Sequence, residues 1–455
     1  MKHKIILFGA GLYGRQAFEI LREKYEVVGF ADNNQELVGS YLFEIPIISA
    51  DKIVDCSRQD VDIVITAAAY YPIGVQLKAM GIVEWYVMLD GHLYHKNVKK
   101  DAHIRTCTRC IMNDSSDDMI LFDDIGQCNY CTKAYDNMNK IYFPNEEGKK
   151  RLERLLEDVK ESGKGKKYDC IMGVSGGLDS SYLAYLGYQW GLRVLAVHID
   201  DGFDTEISKV NLSKLISATG FDYEVITPDE EQFNDLTLAY MKAGVPNIAI
   251  PQDNVLFAFI YKKVREYGIS YFLSGTNFAL ECILQRGNTH EVLDIENIID
   301  IHNKFGKVPI DKLELLSVRQ MERDKKELGI KSPMPLDYIN YNRDRAFKEL
   351  KEFCGFEYYG RKHLENVLTA FIQLYWFPKK FGVDKRTSHL SSMIASGQMT
   401  REEALEEWKE PLYNEQMMHE YIEIIKKKLR ISDEEFRDIM EAPAHQHNEY
   451  AVEHR

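Results

Sequence analysis

The chain has 455 residues, 45% hydrophobic and 28% charged, an ordinary globular composition that predicts two to four domains at ~100–200 residues each. Its net charge of −14 argues against a partner dominated by nucleic-acid phosphates, which demands a basic surface; only residues 160–167 and 379–386 are locally basic. No window approaches the ~18 consecutive apolar residues of a membrane span. Met1-Lys2-His3-Lys4-Ile5 runs straight into an apolar strand, unlike a signal peptide, so a cytoplasmic protein with no membrane span is expected.

Residues 1–100 alternate strands and helices. Strands are predicted at 4–8, 26–30, 61–66 and 85–89, with a glycine turn at 9–14 and a helix at 15–24. This is the spacing of βαβ units and a parallel sheet. It is long enough for a Rossmann-like half domain. Residues 101–140 hold two cysteine pairs around the apolar stretch Met119–Phe122. A polar helical pattern (Leu152, Leu155, Leu156, Val159) leads to a linker at Ser162-Gly163-Lys164-Gly165.

A second α/β series starts at Tyr168. Strands are predicted at 169–174, 194–199, 223–226 and 271–273, giving a doubly wound parallel-sheet domain over 141–340. Residues 341–455 turn helical. Thr400-Arg401-Glu402-Glu403 and Ser432-Asp433-Glu434-Glu435 are capping-box patterns. The last dozen residues are polar and read as a disordered tail.

Between the first strand and helix of this second series stands Ser175-Gly176-Gly177-Leu178-Asp179-Ser180. A helix N-terminus offers unpaired N–H groups and partial positive charge. Glycines let the backbone approach a phosphate, and Ser175 and Ser180 add hydroxyls. Together with the Ser181 hydroxyl these make an anion cradle sized for pyrophosphate, and Gly173 just before it is an expected ATP contact. It is not the common P-loop, which needs Gly-x-x-x-x-Gly-Lys-Ser/Thr. The stretch resembles the PP-loop ATP pyrophosphatase superfamily, whose members adenylate a carbonyl oxygen. The resemblance implies ATP and Mg2+, with Ser175, Asp179 and Ser180 catalytic. It also implies nucleotide contacts at His198 and Asp200, which close the next strand. Ser274-Gly275-Thr276-Asn277 is similar to the superfamily's second nucleotide loop. Whether Asp179 or Asp200 holds magnesium stays open.

Cys107-x-x-Cys110 and Cys128-x-x-Cys131 stand 17 residues apart. Two such knuckles suit a closed, tetrahedral and therefore structural Zn2+ site, expected to join the N-terminal domain to the catalytic one. The other four of the eight cysteines are scattered, so a disulfide framework is not expected.

Gly9-Ala10-Gly11-Leu12-Tyr13-Gly14 is a Gly-x-Gly-x-x-Gly between strand and helix, and Asp32 closes the second strand, placed to bond a ribose hydroxyl. With Val28-Gly29-Phe30-Ala31-Asp32, the region resembles the nucleotide-sugar-binding N-terminal domain of bacterial sugar acyltransferases. The resemblance implies a sugar nucleotide at Gly9, Gly11, Gly14 and Asp32; the alternative is a scaffold that kept its glycines for packing.

Residues ~105–440 resemble the bacterial N-acetyl sugar amidotransferase family. The resemblance rests on Thr106-Cys107-Thr108-Arg109-Cys110, on Phe356-Glu357-Tyr358-Tyr359-Gly360-Arg361-Lys362-His363, and on Pro378-Lys379-Lys380-Phe381-Gly382-Val383-Asp384-Lys385-Arg386 with His389-Leu390-Ser391-Ser392. It implies that ATP adenylates an acetamido oxygen of a nucleotide-activated sugar and that ammonia displaces AMP. The product would be an acetamidino sugar for a surface glycan such as lipopolysaccharide O-antigen, capsule or flagellin. The resemblance also implies a separate glutaminase subunit that supplies the ammonia; Lys2 follows Met1 where an N-terminal nucleophile would need cysteine. Tyr358, Tyr359, Arg361, Lys362, His363, Lys379, Lys380, Lys385 and Arg386 are expected to bind the nucleotide sugar; the alternative is a solvated basic face. Two other readings compete. One is a tRNA-thiolating enzyme passing sulfur through Cys282. The other is a non-catalytic sugar-nucleotide-binding partner, which would need a damaged loop.

Overall fold

The computed structural model describes residues 2–57, 60–99, 104–360 and 364–453, which fall into two compact units, Met1–Tyr135 and Asp136–Arg455. No described helix is long and apolar enough to cross a membrane.

The first unit is built on seven strands: β1 (Lys4–Phe8), β2 (Glu26–Asp32), β3 (Tyr41–Leu42), β4 (Ile45–Ser49), β5 (Asp62–Ile65), β6 (Glu84–Leu89) and β7 (His92–Asn97). Their order is β3-β4-β2-β1-β5-β6-β7. The central five run parallel, while β3 and β7 pair antiparallel at the edges. β1 shows why the sheet lies in the middle: Ile6 and Phe8 enter one apolar core, Ile5 and Leu7 the opposite one. A strand covered on both faces reads as continuously apolar. The four predicted strands are present. The two edge hairpins are additional, since β3 has only two residues and β7 (His-Leu-Tyr-His-Lys-Asn) carries no apolar alternation.

The cysteine module belongs to this unit. His95 and Phe122 form an antiparallel bridge, Leu121 enters the core beside Ile63 and Trp85, and Tyr70 donates to the Met119 carbonyl at 2.9 Å. The apolar stretch 119–122 is thus the module's anchor.

The second unit carries β8 (Cys170–Gly173), β9 (Val194–Ile199) and β10 (Asp222–Ile226), all parallel, in the order β10-β9-β8. Beyond β8 the sheet continues only as single parallel bridges, Ile171 to Phe272 and Tyr271 to Lys331. The predicted strand 271–273 is therefore reduced to a bridge segment. The helical C-terminal region shares one apolar core with the α/β part: Phe203, Leu236, Tyr240 and Ile298 pack with Phe371, Trp376, Ile425 and Phe436. Both capping boxes form, at Thr400–Glu403 and Ser432–Glu435.

The tail corrects one expectation, because residues 443–453 are bound rather than disordered. His445 N–H donates to the Gly244 carbonyl at 3.0 Å. Asn297 Nδ2 reaches the carbonyls of His447 and Ala451 at 3.1 and 3.0 Å. The Tyr450 hydroxyl donates to the Ala243 carbonyl at 2.7 Å. His447 is buried, stacks on His290 at 4.6 Å, and is pushed down to about 3 by burial and then by His290. Polar side chains hid this anchoring, since backbone and histidine bonds leave no apolar pattern.

Candidate active site

β8 ends at Gly173, and Val174 N–H still bonds the Val197 carbonyl at 2.8 Å. The chain then turns through Ser175, Gly176 and Gly177 into the helix Leu178–Gln189. Gly176 has φ +76°, and a Cβ there would fall 2.6 Å from the Ser208 carbonyl oxygen. A Cβ on Gly177 would fall 2.5 Å from Glu365 Oε1. Only glycine fits at 176, where the φ is positive and the obstruction is backbone, whereas at 177 the Glu365 carboxylate would have to move aside. Ser180 Oγ accepts Ser175 N–H at 3.2 Å and Ser175 Oγ accepts Gly177 N–H at 3.2 Å, which folds the loop on itself. The Leu178 N–H, the first of the helix, meets the Tyr359 hydroxyl at 2.7 Å. Asp179 accepts a hydrogen bond from the hydroxyl of fully buried Tyr341. The N–H groups of Ser175, Gly177 and Leu178 are thus each met by a hydroxyl, and side chains from 341 to 365 hold the loop.

This loop borders a cavity of 570 Å³. Gly173, Ser175, Asp179, Ser180, His198, Ser274, Gly275 and Thr276 line it, as do Tyr358, Tyr359, Lys385 and Arg386. Two stretches far apart in sequence, 173–180 and 274–276, thus face one space, and a Cβ on Gly275 would lie 3.2 Å from Ser180 Cα.

Several expected residues stand elsewhere. Asp200 does not line the cavity; its Oδ1 accepts Gly202 N–H at 3.1 Å, tightening the turn after β9. Asn277 caps the short helix Phe278–Glu281, accepting Leu280 N–H at 2.9 Å. Gly176 and Gly177 shape the loop from behind. Lys379 lies over the Tyr375 ring. Lys380 donates to the carbonyls of Ile439 and Ala442 at 2.7 Å each, over Trp376, with its pKa lowered by burial. Lys380 is a C-terminal clamp, not a substrate ligand. Both lysines sit on a π-helical segment, Ile372–Phe381, whose wider turn breaks the spacing an α-helix would give. Arg386 lines the cavity with its guanidinium already matched to Asp384 at 2.7 Å and to the Glu410 carbonyl at 2.9 Å. Arg361, Lys362 and His363 lie outside the described residues.

His198 lines the cavity and is also bonded at both ring nitrogens. Its Nδ1 bonds the Val174 carbonyl and its Nε2 bonds Asp204, both at 2.8 Å. Burial lowers its pKa, but the Asp204 bond and charge outweigh this and leave it raised. The imidazole braces the loop's base, and only its ring is left for a ligand. Asp204, Asp253, Glu365 and Asn366 also line the cavity and were not picked out in the sequence. Asp204 ends an aspartate-rich turn, and Asp253 follows Pro251 in the first turn of the helix Ile250–Tyr267, where an acid reads as ordinary helix-start chemistry.

In the first unit, Cys107, Cys110, Cys128 and Cys131 are all buried, with sulfurs within 4.8 Å of one another. Cys107–Cys131 and Cys110–Cys128 sulfurs are each 3.6 Å apart. Bonds to zinc of about 2.3 Å place tetrahedral sulfurs about 3.8 Å apart, so the cluster fits that ion. Backbone N–H groups of Cys110 and Cys128 point at Cys107 Sγ at 3.4 and 3.2 Å, as thiolates require. Those four thiols would hold a closed site with no position for substrate.

The N-terminal glycines are laid out as a phosphate turn. Gly9 has φ +121°, and a Cβ on Gly14 would fall 1.9 Å from the Gly9 carbonyl oxygen, while nothing crowds Gly11. Asp32, expected at a ribose hydroxyl, instead accepts Ala10 N–H at 2.7 Å and Asn34 N–H at 2.9 Å.

A parallel sheet whose first strand delivers a Ser-Gly-Gly-Leu-Asp-Ser turn into a helix, beside a Ser-Gly-Thr-Asn loop, defines an α/β fold of the PP-loop-like kind. Within that class, residues 365–454 match the family model of the C-terminal domain of WbpG-like LPS biosynthesis proteins, which bears out the family resemblance drawn from the sequence. Residues 1–88 match the C2185-like N-terminal model. No curated protein matches. Similar solved structures include NMN synthetase from Francisella tularensis, 17% identical over 45% of this chain and 96% of that one (TM-score 0.24). NH3-dependent NAD synthetase from Campylobacter jejuni is 13% identical over 46% and 93% (0.25). UDP-D-quinovosamine 4-dehydrogenase from Vibrio fischeri is 19% identical over 22% and 97% (0.19).

Proposed function

We propose that this chain is an ATP-dependent N-acetyl sugar amidotransferase acting in surface-glycan assembly such as lipopolysaccharide. One observation carries the reading: the pyrophosphate-type loop and the wall of Tyr358, Lys385 and Arg386 border one cavity, and that wall runs into the segment matching the WbpG-like domain. An amide carbonyl is a poor electrophile. Adenylating its oxygen creates an imidate whose departing AMP is stable. The loop's N–H groups and the Ser175 and Ser180 hydroxyls would bind the pyrophosphate as charge builds on it. Asp179, on the cavity, suits magnesium better than Asp200, which turns away from it; the ion would neutralise phosphate charge. A separate glutaminase would supply ammonia, and the N-terminal glycine turn would take a sugar nucleotide. Sulfur transfer gains no support, because Cys282 lies against the Ser392 carbonyl and is not among the lining residues.

The test is purified protein with ATP, ammonium chloride and diacetamido nucleotide sugars, read by mass spectrometry. Replacing O by NH lowers the mass by about one unit. Pyrophosphate release that needs tRNA and a sulfur donor, and no sugar, overturns the reading.

A further inference from the structure

We infer that Asp253 is the group that receives ammonium in the active cavity and takes its proton before attack, an assignment that rests on the proposed amidotransferase reading. Its carboxylate lines the same cavity as the loop. Among the described residues no hydrogen-bond donor and no cation engages it. The neighbouring stretch of wall combines apolar Ala249, Leu256 and Phe257 with the neutral amides of Asn247 and Gln252.

The neighbouring carboxylate, Asp201, is in the opposite condition. It accepts Phe203 N–H at 2.9 Å, the Gln252 amide and, at 3.4 Å, the Asn366 amide. Asp201 is therefore saturated, whereas Asp253, on the cavity wall, meets no donor and no cation among the described residues. Asn366 follows Glu365, whose carboxylate abuts Gly177, so this wall continues to the phosphate loop. Burial, and then the charge of Asp201, push Asp253 up to about 7. A bare anion is disfavoured here, and a cation restores the balance.

The chemistry of that cation is narrow. Mg2+ demands near-octahedral oxygen ligands, and the second carboxylate in reach is already committed. A small monovalent cation that carries its own donors fits one carboxylate. In the reaction, an N–H bond of ammonium breaks and its proton forms an O–H bond on Asp253. The freed lone pair of ammonia forms the C–N bond to the imidate carbon. The C–O bond to AMP breaks, with its electron pair leaving on the AMP phosphate oxygen.

The experiment compares wild type with D253N and D253E. In sugar-free protein, ammonium chloride should raise the melting temperature of wild type more than potassium chloride at equal ionic strength, and D253N should lose that difference. In the full reaction, D253N should raise the KM for ammonium at least tenfold, with D253E recovering part of it. Sugar-dependent ATP–pyrophosphate exchange without ammonium should stay within twofold of wild type. An unchanged ammonium KM, an equal shift from potassium, or loss of exchange in D253N overturns the assignment, the last placing Asp253 with the nucleotide. Absence of sugar-dependent exchange in wild type fails the amidotransferase reading instead, and the thermal comparison then judges the ammonium site alone.

Discussion

Each unit places a glycine turn between its first parallel strand and the following helix, yet the two turns are chemically different. In the first unit, the N–H of Ala10 is taken by the Asp32 carboxylate at 2.7 Å, and exposed Leu12 and Tyr13 follow. In the second, serines fold the loop, buried Tyr341 holds Asp179, and a 570 Å³ cavity opens in front. A glycine pattern specifies that the backbone can approach a ligand. What surrounds the turn specifies whether charge there is satisfied or waiting.

The sharpest way to break this contrast is to disable each turn separately. Asp179→Ala and Ser175→Ala should each lower turnover by about a thousandfold, the scale of losing a preorganised charge-stabilising group, with zinc content unchanged by elemental analysis. Equal loss from Gly11→Ala, where nothing crowds the new methyl, would mean that the first turn shares the chemistry.

Cys107→Ser should remove zinc and destabilise the first unit by several kcal/mol, since structural zinc contributes folding energy directly. The lower of two calorimetric transitions should move while ATP binding persists. A cluster that is only four buried thiols would leave the transition in place.

Acid should act on the second unit through His447. Its folded pKa of about 3 lies below the unfolded value of about 6.5. The stability gained from keeping it neutral is therefore complete above pH 6.5 and is lost as pH falls toward 3, by about 1.4 kcal/mol per unit. Denaturant melts between pH 7 and 4 should show this slope in the second unit, and His447→Asn should flatten it.

The smallest effect is expected at Asp32. Asp32→Ala removes one carboxylate acceptor from the glycine turn and should cost the first unit about 1–2 kcal/mol while leaving sugar-dependent pyrophosphate exchange intact. A large loss of nucleotide-sugar binding, measured calorimetrically, would return Asp32 to the ligand role expected of it.

Much of this was legible before any coordinates. β1, β2, β5 and β6 announced themselves because they are buried on both faces and read as unbroken apolar runs. The four cysteines and both capping boxes were readable because spacing alone brings their partners together. The edge strands, the bridge segment at 271–273 and the bound tail were not, since their bonds are made by backbone and polar groups. The basic stretch 379–386 misled for a related reason. Its π-helical turn and the distant carbonyls of Ile439 and Ala442 take Lys380 away from the cavity, and neither is encoded by local composition.

By itself, then, the sequence determined the phosphate-type loop, the four-thiol cluster and the α/β alternation, because each depends on residues close along the chain. Only the tertiary structure decided that Lys385 faces the cavity while Lys380 clamps the C-terminus. It alone showed that His198 is braced at both nitrogens by Val174 and Asp204, and that Asp253, unlike Asp201, has no partner among the described residues. Burial and pairing are sums over neighbours from distant segments, and those sums exist only once the chain has folded.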